Sequence, residues 1–290
     1  MRKVRLKLMA VGIIAMLSAC TTEEPVESEP ENDSVNVTFN ITPEPWQYTT
    51  EPMRTRALDA DGKSMTDIWI LDYIGTELQQ QLHQSSTDAD FGSPTLSLSV
   101  GSHNIYFVAS RGSGASLDTD AQTLTFTKVL DTFYKSLALN VSATSAGAQS
   151  VALDRIVTKL KVTFTDAIPA TASRFEVTPS QWNYSIDYTT GMPTDATTSQ
   201  AIVVNIPPSS LGVDGESVSV FGFIGTEEWN TDITLNCKAS DDTILGTATI
   251  SDAKFKRNRV SAYSGPLFSS NGAMTLSLNS EWDTELVGTW

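Results

Sequence analysis

The chain has 290 residues, 40% hydrophobic and 18% charged, with 19 Lys and Arg against 34 Asp and Glu, a net charge of −15. A nucleic-acid binder working through a basic face is excluded, because phosphate neutralisation needs clustered Lys and Arg. Two cysteines and two histidines exclude a disulfide framework and a zinc finger, and leave little material for His-based catalytic or metal sites.

The first twenty residues obey a different rule from the rest. Arg2, Lys3, Arg5 and Lys7 precede an apolar run, Leu8 to Leu17, too short to span a hydrocarbon core of about 30 Å as a helix. Leu17-Ser18-Ala19-Cys20 then follows in the register of a bacterial lipobox. The expectation is a lipoprotein signal peptide over 1–19, with lipid carried on Cys20. Its removal takes away four basic and no acidic residues, leaving 15 against 34 and a net charge of −19. Residues 20–34 (CTTEEPVESEPENDS) are acidic and lack aromatics, so they cannot bury enough surface to offset ordering and read as a tether. Acidic residues just after the Cys resemble a surface-export signal of Bacteroidales lipoproteins.

From residue 35 the pattern has period 2. In Val35 to Ile41 every odd position is apolar and every even one polar, which predicts a half-buried strand. Asp67 to Ile74 and Asn104 to Ala109 are apolar on both faces and read as central strands, as does Val218 to Ile224. Alternation predicts further strands through Leu96, Leu98 and Val100, Leu124 and Phe126, Leu137 to Val141, and Leu160 to Phe164. It does so again through Ile202 to Ile206, Ile233 to Cys237 and Met274 to Leu278. One stretch, Thr76 to Gln84, could make about two helical turns. Strands spaced by Gly, Pro, Asn and Asp indicate an all-β chain of sandwiches. The polar stretch Ser142 to Ser150 is the best boundary, giving an N-terminal β-sandwich over 35–150 and a C-terminal one over 151–290.

Catalytic constellations are missing from the pattern. His83 and His103 share no ligand spacing and read as surface histidines, and neither a nucleophile elbow nor a phosphate loop occurs. Asp59-Ala60-Asp61-Gly62 hints at a calcium loop, but Ile70 stands where a bidentate carboxylate is needed, so a turn is the better reading. Cys237 lies on the apolar side of its strand and reads as a buried thiol. Lys254, Lys256, Arg257 and Arg259 form the one basic cluster, read as charge guarding an edge strand or as a contact for an acidic partner. Of six tryptophans, Trp69 reads as core and Trp229, beside Glu227 and Glu228, as the most exposed. The expectation is no enzyme, no cofactor and no metal.

In chain order, the lipobox, the strand Val35 to Ile41, Thr55-Arg56-Ala57, Ile68-Trp69-Ile70-Leu71-Asp72-Tyr73 and Leu153 to Val162 form a series. Ile168-Pro169-Ala170, Asn258-Arg259-Val260 running to Tyr263-Ser264-Gly265, and Trp282 continue it. Together they resemble the fimbrillin-like subunits of Bacteroidales, of the FimA and FimB type. The resemblance implies two tandem transthyretin-like β-sandwiches, with Leu153 to Val162 opening the second. It implies surface pili in which an Arg-specific protease cuts after the first strand and a neighbour's strand fills the vacated groove. The candidate cut sites are Arg54 and Arg56, of which Arg56-Ala57 matches better. The strand-exchange residues would be Val37, Phe39 and Ile41 on the groove side, and Met274, Leu276 and Leu278 on the donor side. Implied partners are other fimbrial subunits and the outer membrane, through lipid on Cys20, with a glycan or host protein as adhesion ligand. Two alternatives stay open: a surface glycan-binding lipoprotein with an aromatic platform, and a hydrolase whose carboxylates lie far apart in sequence.

Overall fold

The computed structural model describes residues 34–43, 65–112, 114–144, 147–194, 198–225, 228–269 and 277–278. Nine strands come first: β1 (Ser34–Pro43), β2 (Asp67–Ile74), β3 (Glu77–Ser85), β4 (Thr95–Ser99), β5 (Gly101–Ser110), β6 (Ala115–Asp118), β7 (Thr123–Phe126), β8 (Thr132–Val141) and β9 (Ala148–Arg155). Then follow β10 (Val157–Phe164), β11 (Ala172–Pro179), β12 (Ser185–Asp187), β13 (Met192–Pro193), β14 (Ile202–Asn205), β15 (Ser217–Phe223), β16 (Glu228–Ala239), β17 (Ile244–Lys256), β18 (Val260–Gly265) and β19 (Ser277–Leu278). Among the described residues the only helical element is a 3-10 turn, Pro208–Ser210. The all-β class expected from the alternation is what the structure shows.

The first sheet has seven strands in the order β3-β2-β5-β8-β9-β1-β4. Two four-stranded sheets, β15-β10-β18-β19 and β14-β11-β16-β17, use the later strands. A fourth, β13-β12-β7-β6, pairs an early hairpin with a late one, Ile186 opposite Leu124. Within the compact unit Asp33–Trp290 there are two hydrophobic cores. One covers a face of the seven-stranded sheet, with Phe39, Ile68, Ile70, Leu98, Phe107 and Phe133 among its members. The other takes Trp69, Leu71 and Tyr73 from the opposite face of β2 and joins them to Phe126, Trp182, Phe223 and the interior of the later sheets. This is why β2 is apolar on both faces: successive side chains point into different cores.

Four local readings change. The stretch 76–84 is strand β3, not helix. Ile74 and Glu77 pair across a two-residue loop whose first member, Gly75, has φ 60, and hairpin geometry outweighs the helix propensity of the glutamines. The apolar run 218–224 includes β15, which lies at a sheet edge and not at its centre. Gly222, on the same face as the buried Val218 and Val220, leaves room for the Trp182 ring, which sits where a Cβ would be. Val100 is exposed because β4 ends at Ser99 and the chain turns before β5. Leu153 to Val162 is two strands, not one. β9 belongs to the first sheet and β10 to another, and the chain changes sheets at Ile156. A buried, two-pronged ion pair from Arg155 to Asp131 (2.6 and 2.9 Å), with the guanidinium 4.6 Å from the Phe133 ring, fixes that crossing.

The end of β18 is fixed by a carboxylate. Asp166 accepts backbone N–H bonds from Leu267 (2.9 Å), Phe268 (2.6 Å) and Ser269 (2.9 Å). Burial pushes the Asp166 carboxyl up, but the three donors together outweigh it, and its pKa lies below the ordinary aspartate value. A lowered folded-state pKa gives stability that is complete above the unfolded value of about 3.9 and is lost as pH falls through the folded one. Asp166→Ala is therefore expected to cost about 1–3 kcal/mol at pH 7. Urea titrations should show the gap between wild type and variant closing toward pH 2.

Candidate functional site

Strand β1 is the element on which the sequence expectations converge. Its alternation places Val35, Val37, Phe39 and Ile41 inward, and all four are buried, Phe39 completely. The Phe39 ring lies 5.4 Å from that of Phe107 across the core. Polar Asn36, Asn40 and Thr42 take the outer positions and are exposed, with Thr38 half-buried.

Main-chain bonding holds β1 on both sides. Along its first half it runs antiparallel to β4, from Ser34 opposite Ser99 to Thr38 opposite Thr95. Two further bonds, from Phe39 N to Pro94 O (2.9 Å) and from Ile41 N to Gly92 O (2.8 Å), carry that contact past the end of β4. Along its second half β1 runs parallel to β9, from Thr38 opposite Ala148 to Pro43 opposite Leu153. A parallel neighbour cannot be reached by a hairpin. The strand is therefore held in its slot by pairing and packing, and local chain connection contributes nothing to that pairing. Each of its large apolar side chains buries the equivalent of about 1.5–3 kcal/mol.

Other expected residues fall as follows. Cys20, Arg54, Arg56, Met274 and Leu276 lie outside the described residues, as do Asp59 to Asp61, Trp46, Trp282 and Trp290. Leu278 pairs through its backbone with Tyr263 of β18 in the same chain. Cys237 is buried and its thiol is pushed up to about 11 by burial, which makes it unreactive. Lys254 and Lys256 lie on β17, an outer strand of its sheet, and Arg257 and Arg259 follow it. Trp69 and Trp182 are buried, and Trp229 is half-buried with its ring 5.7 Å from that of Trp182. The turn position of Trp229 suggested exposure, but it lies on β16 against the core.

The histidines are not both at the surface. His83 is half exposed, stacked on Trp69 (4.8 Å) with Nε2 3.0 Å from Asp67. His103 is 2% exposed, with Nδ1 2.7 Å from the buried Asp72 carboxylate. One signal for this was present in the sequence: an aspartate inside the otherwise apolar Ile68 to Ile74 must find a partner if it is buried. Among the described residues no cluster of His, Cys, Asp or Glu could hold a metal ion.

No protein-family model and no curated protein matches the chain. Solved structures do. The chain is similar to a candidate adhesin from Bacteroides ovatus, at 9% identity over 89% of this chain and 94% of that one, with a TM-score of 0.48. It is also similar to the tip fimbrial protein Mfa3 from Porphyromonas gingivalis with C-terminal truncation (11% identity, 84% of this chain and 99% of that one, TM-score 0.44). A further likeness is to the fimbrial anchor protein Mfa2 from Porphyromonas gingivalis (11% identity, 80% of this chain and 90% of that one, TM-score 0.39).

The packing of β1 predicts a steep cost for truncating its central side chain. Phe39→Ala should lower stability by about 3–5 kcal/mol in urea unfolding, whereas Asn40→Ala on the outer face should change it by less than about 0.5 kcal/mol.

Proposed function

We propose that this protein is a non-catalytic structural or anchoring subunit of a surface fimbria. Lipid on Cys20 holds it at the outer membrane while the chain is intact, and a cut at Arg54 or Arg56 removes the lipid together with the first strand, so that exchange of an extended strand joins the subunit to its neighbours. The observation that supports this reading is the seating of β1, which enters the core between one parallel and one antiparallel neighbour.

Arg54 and Arg56 lie between Pro43 and Met65, outside every described strand. A cut there severs β1 from the body of the chain without breaking another described strand. The cut strand is then held only by hydrogen bonds and apolar contacts, and once it leaves, an extended segment of matching alternation can replace it. This is β-augmentation: main-chain bonds supply affinity and alternate side chains supply specificity. Met274, Leu276 and Leu278 have the required spacing. Ser277 and Leu278 pair with β18 of their own chain, which favours a place at the end of a row of subunits over one in its middle. Trp69 and Trp182, being buried, give no platform for the glycan alternative, and Trp229 is half-buried against the core.

Two experiments test the reading. Incubation with an Arg-specific protease should cut the chain at Arg56 or Arg54 and give SDS-resistant ladders, and a chain with both arginines changed to Ala should give neither. Clean cutting with no ladders, together with retention on polysaccharide gels, would instead support the glycan reader. Cys20→Ala should abolish labelling by a fatty-acid analogue and move the protein out of the membrane fraction. Unchanged labelling of that variant would remove the anchor from the account.

A further inference from the structure

The seven-stranded sheet ends at β4, whose only main-chain neighbour in the sheet order is β1. A strand so placed should peel away when β1 leaves, since an edge strand without a partner keeps little cooperative support. The other side of β4 is not bare, however. Side chains from β3 and β5 reach the segment 90–99 at three levels. Gln84, buried at 2% exposure, donates from Nε2 to Asp90 O (3.1 Å) and accepts from Gly92 N at Oε1 (3.2 Å). Gln80 donates from Nε2 to Ser97 O (3.1 Å) and, more weakly, to Asp72 Oδ2 (3.4 Å). His103 Nε2 lies 2.9 Å from Ser99 O and 3.5 Å from Ser99 Oγ, while its Nδ1 faces Asp72 Oδ1 at 2.7 Å.

The imidazole is the firmest of the three. Ser99 O can only accept, so the 2.9 Å contact requires the hydrogen on Nε2. The other nitrogen faces the Asp72 carboxylate at 2.7 Å, and both side chains are about 1% exposed. Buried and satisfied at both ends, such a network is rigid, and its loss leaves a buried carboxylate without its partner.

We infer that Gln84, Gln80 and His103 form a side-chain seam that holds 90–99 against β3, β5 and β2 independently of β1. The slot between β9 and β4 thus keeps its outer wall when β1 is gone and is ready for an incoming extended chain. His103 is here a positioning residue, acting through Ser99. The inference rests on the strand-exchange reading for its purpose, but the seam itself can be tested without it.

Hydrogen exchange on the intact full chain is the first test. His103→Phe, which keeps ring volume, and the milder Gln80→Ala should each speed exchange of the amides in 90–99, by about tenfold or more for His103→Phe. Amides of β11 should be unaffected. Unchanged rates in 90–99, or a uniform rise throughout the chain, would overturn the seam. The second test adds a fluorescent peptide of residues 34–43 to the full chain after cutting with an Arg-specific protease. Wild type should take up the peptide, and both variants should take up several-fold less. Failure of wild type to take it up would overturn strand exchange, with the exchange rates at 90–99 still deciding the seam. Equal uptake by wild type and variants would overturn the seam and leave strand exchange standing.

Discussion

The burial of an N-terminal strand between two partners remote in sequence is the constraint on which the rest of the structure depends. Phe39 and its neighbours supply one wall of the first core, and Phe107 and Leu98 are packed against that wall. Because β9 runs parallel to β1, their pairing joins residues more than a hundred positions apart in sequence. Held by pairing and packing and not by a hairpin, β1 is the element on which the proposed strand exchange turns.

Buried polar contacts tie the rest of the chain together. Arg155 and Asp131 fix the point where the chain leaves the first sheet. The composite sheet of β6, β7, β12 and β13 ties the early strands to the late ones, and the Tyr73 and Tyr188 hydroxyls meet at 2.7 Å beside it. Asp166 holds the chain just past β18 at three successive amides.

Much of this was legible in the sequence. Strict alternation in Val35 to Ile41 showed both the strand and its inward face, because one face is buried and the period is 2. The double-sided apolar run at β2 likewise announced a strand buried on both faces, though not that its faces enter two separate cores. Sequence could not show that β9, and not a hairpin neighbour, pairs with β1, since that partnership is a property of the topology. Nor could it place His103 beside Asp72, because the two lie on separate strands whose register only the sheet defines. The glutamines of β3 suggested helix because propensity is local, whereas the turn at Gly75 that sets their strand is a tertiary fact.

The central claim concerns what occupies the place of Phe39 once subunits have assembled. A photo-reactive phenylalanine analogue at position 107, next to that ring, would report it by mass spectrometry of the cross-linked peptides. Before proteolysis the cross-links should lead to β1 of the same chain. In assembled material they should lead to an extended segment from a second copy or another subunit. Cross-links that still lead only to residues 34–43 of the same chain after assembly would contradict the account.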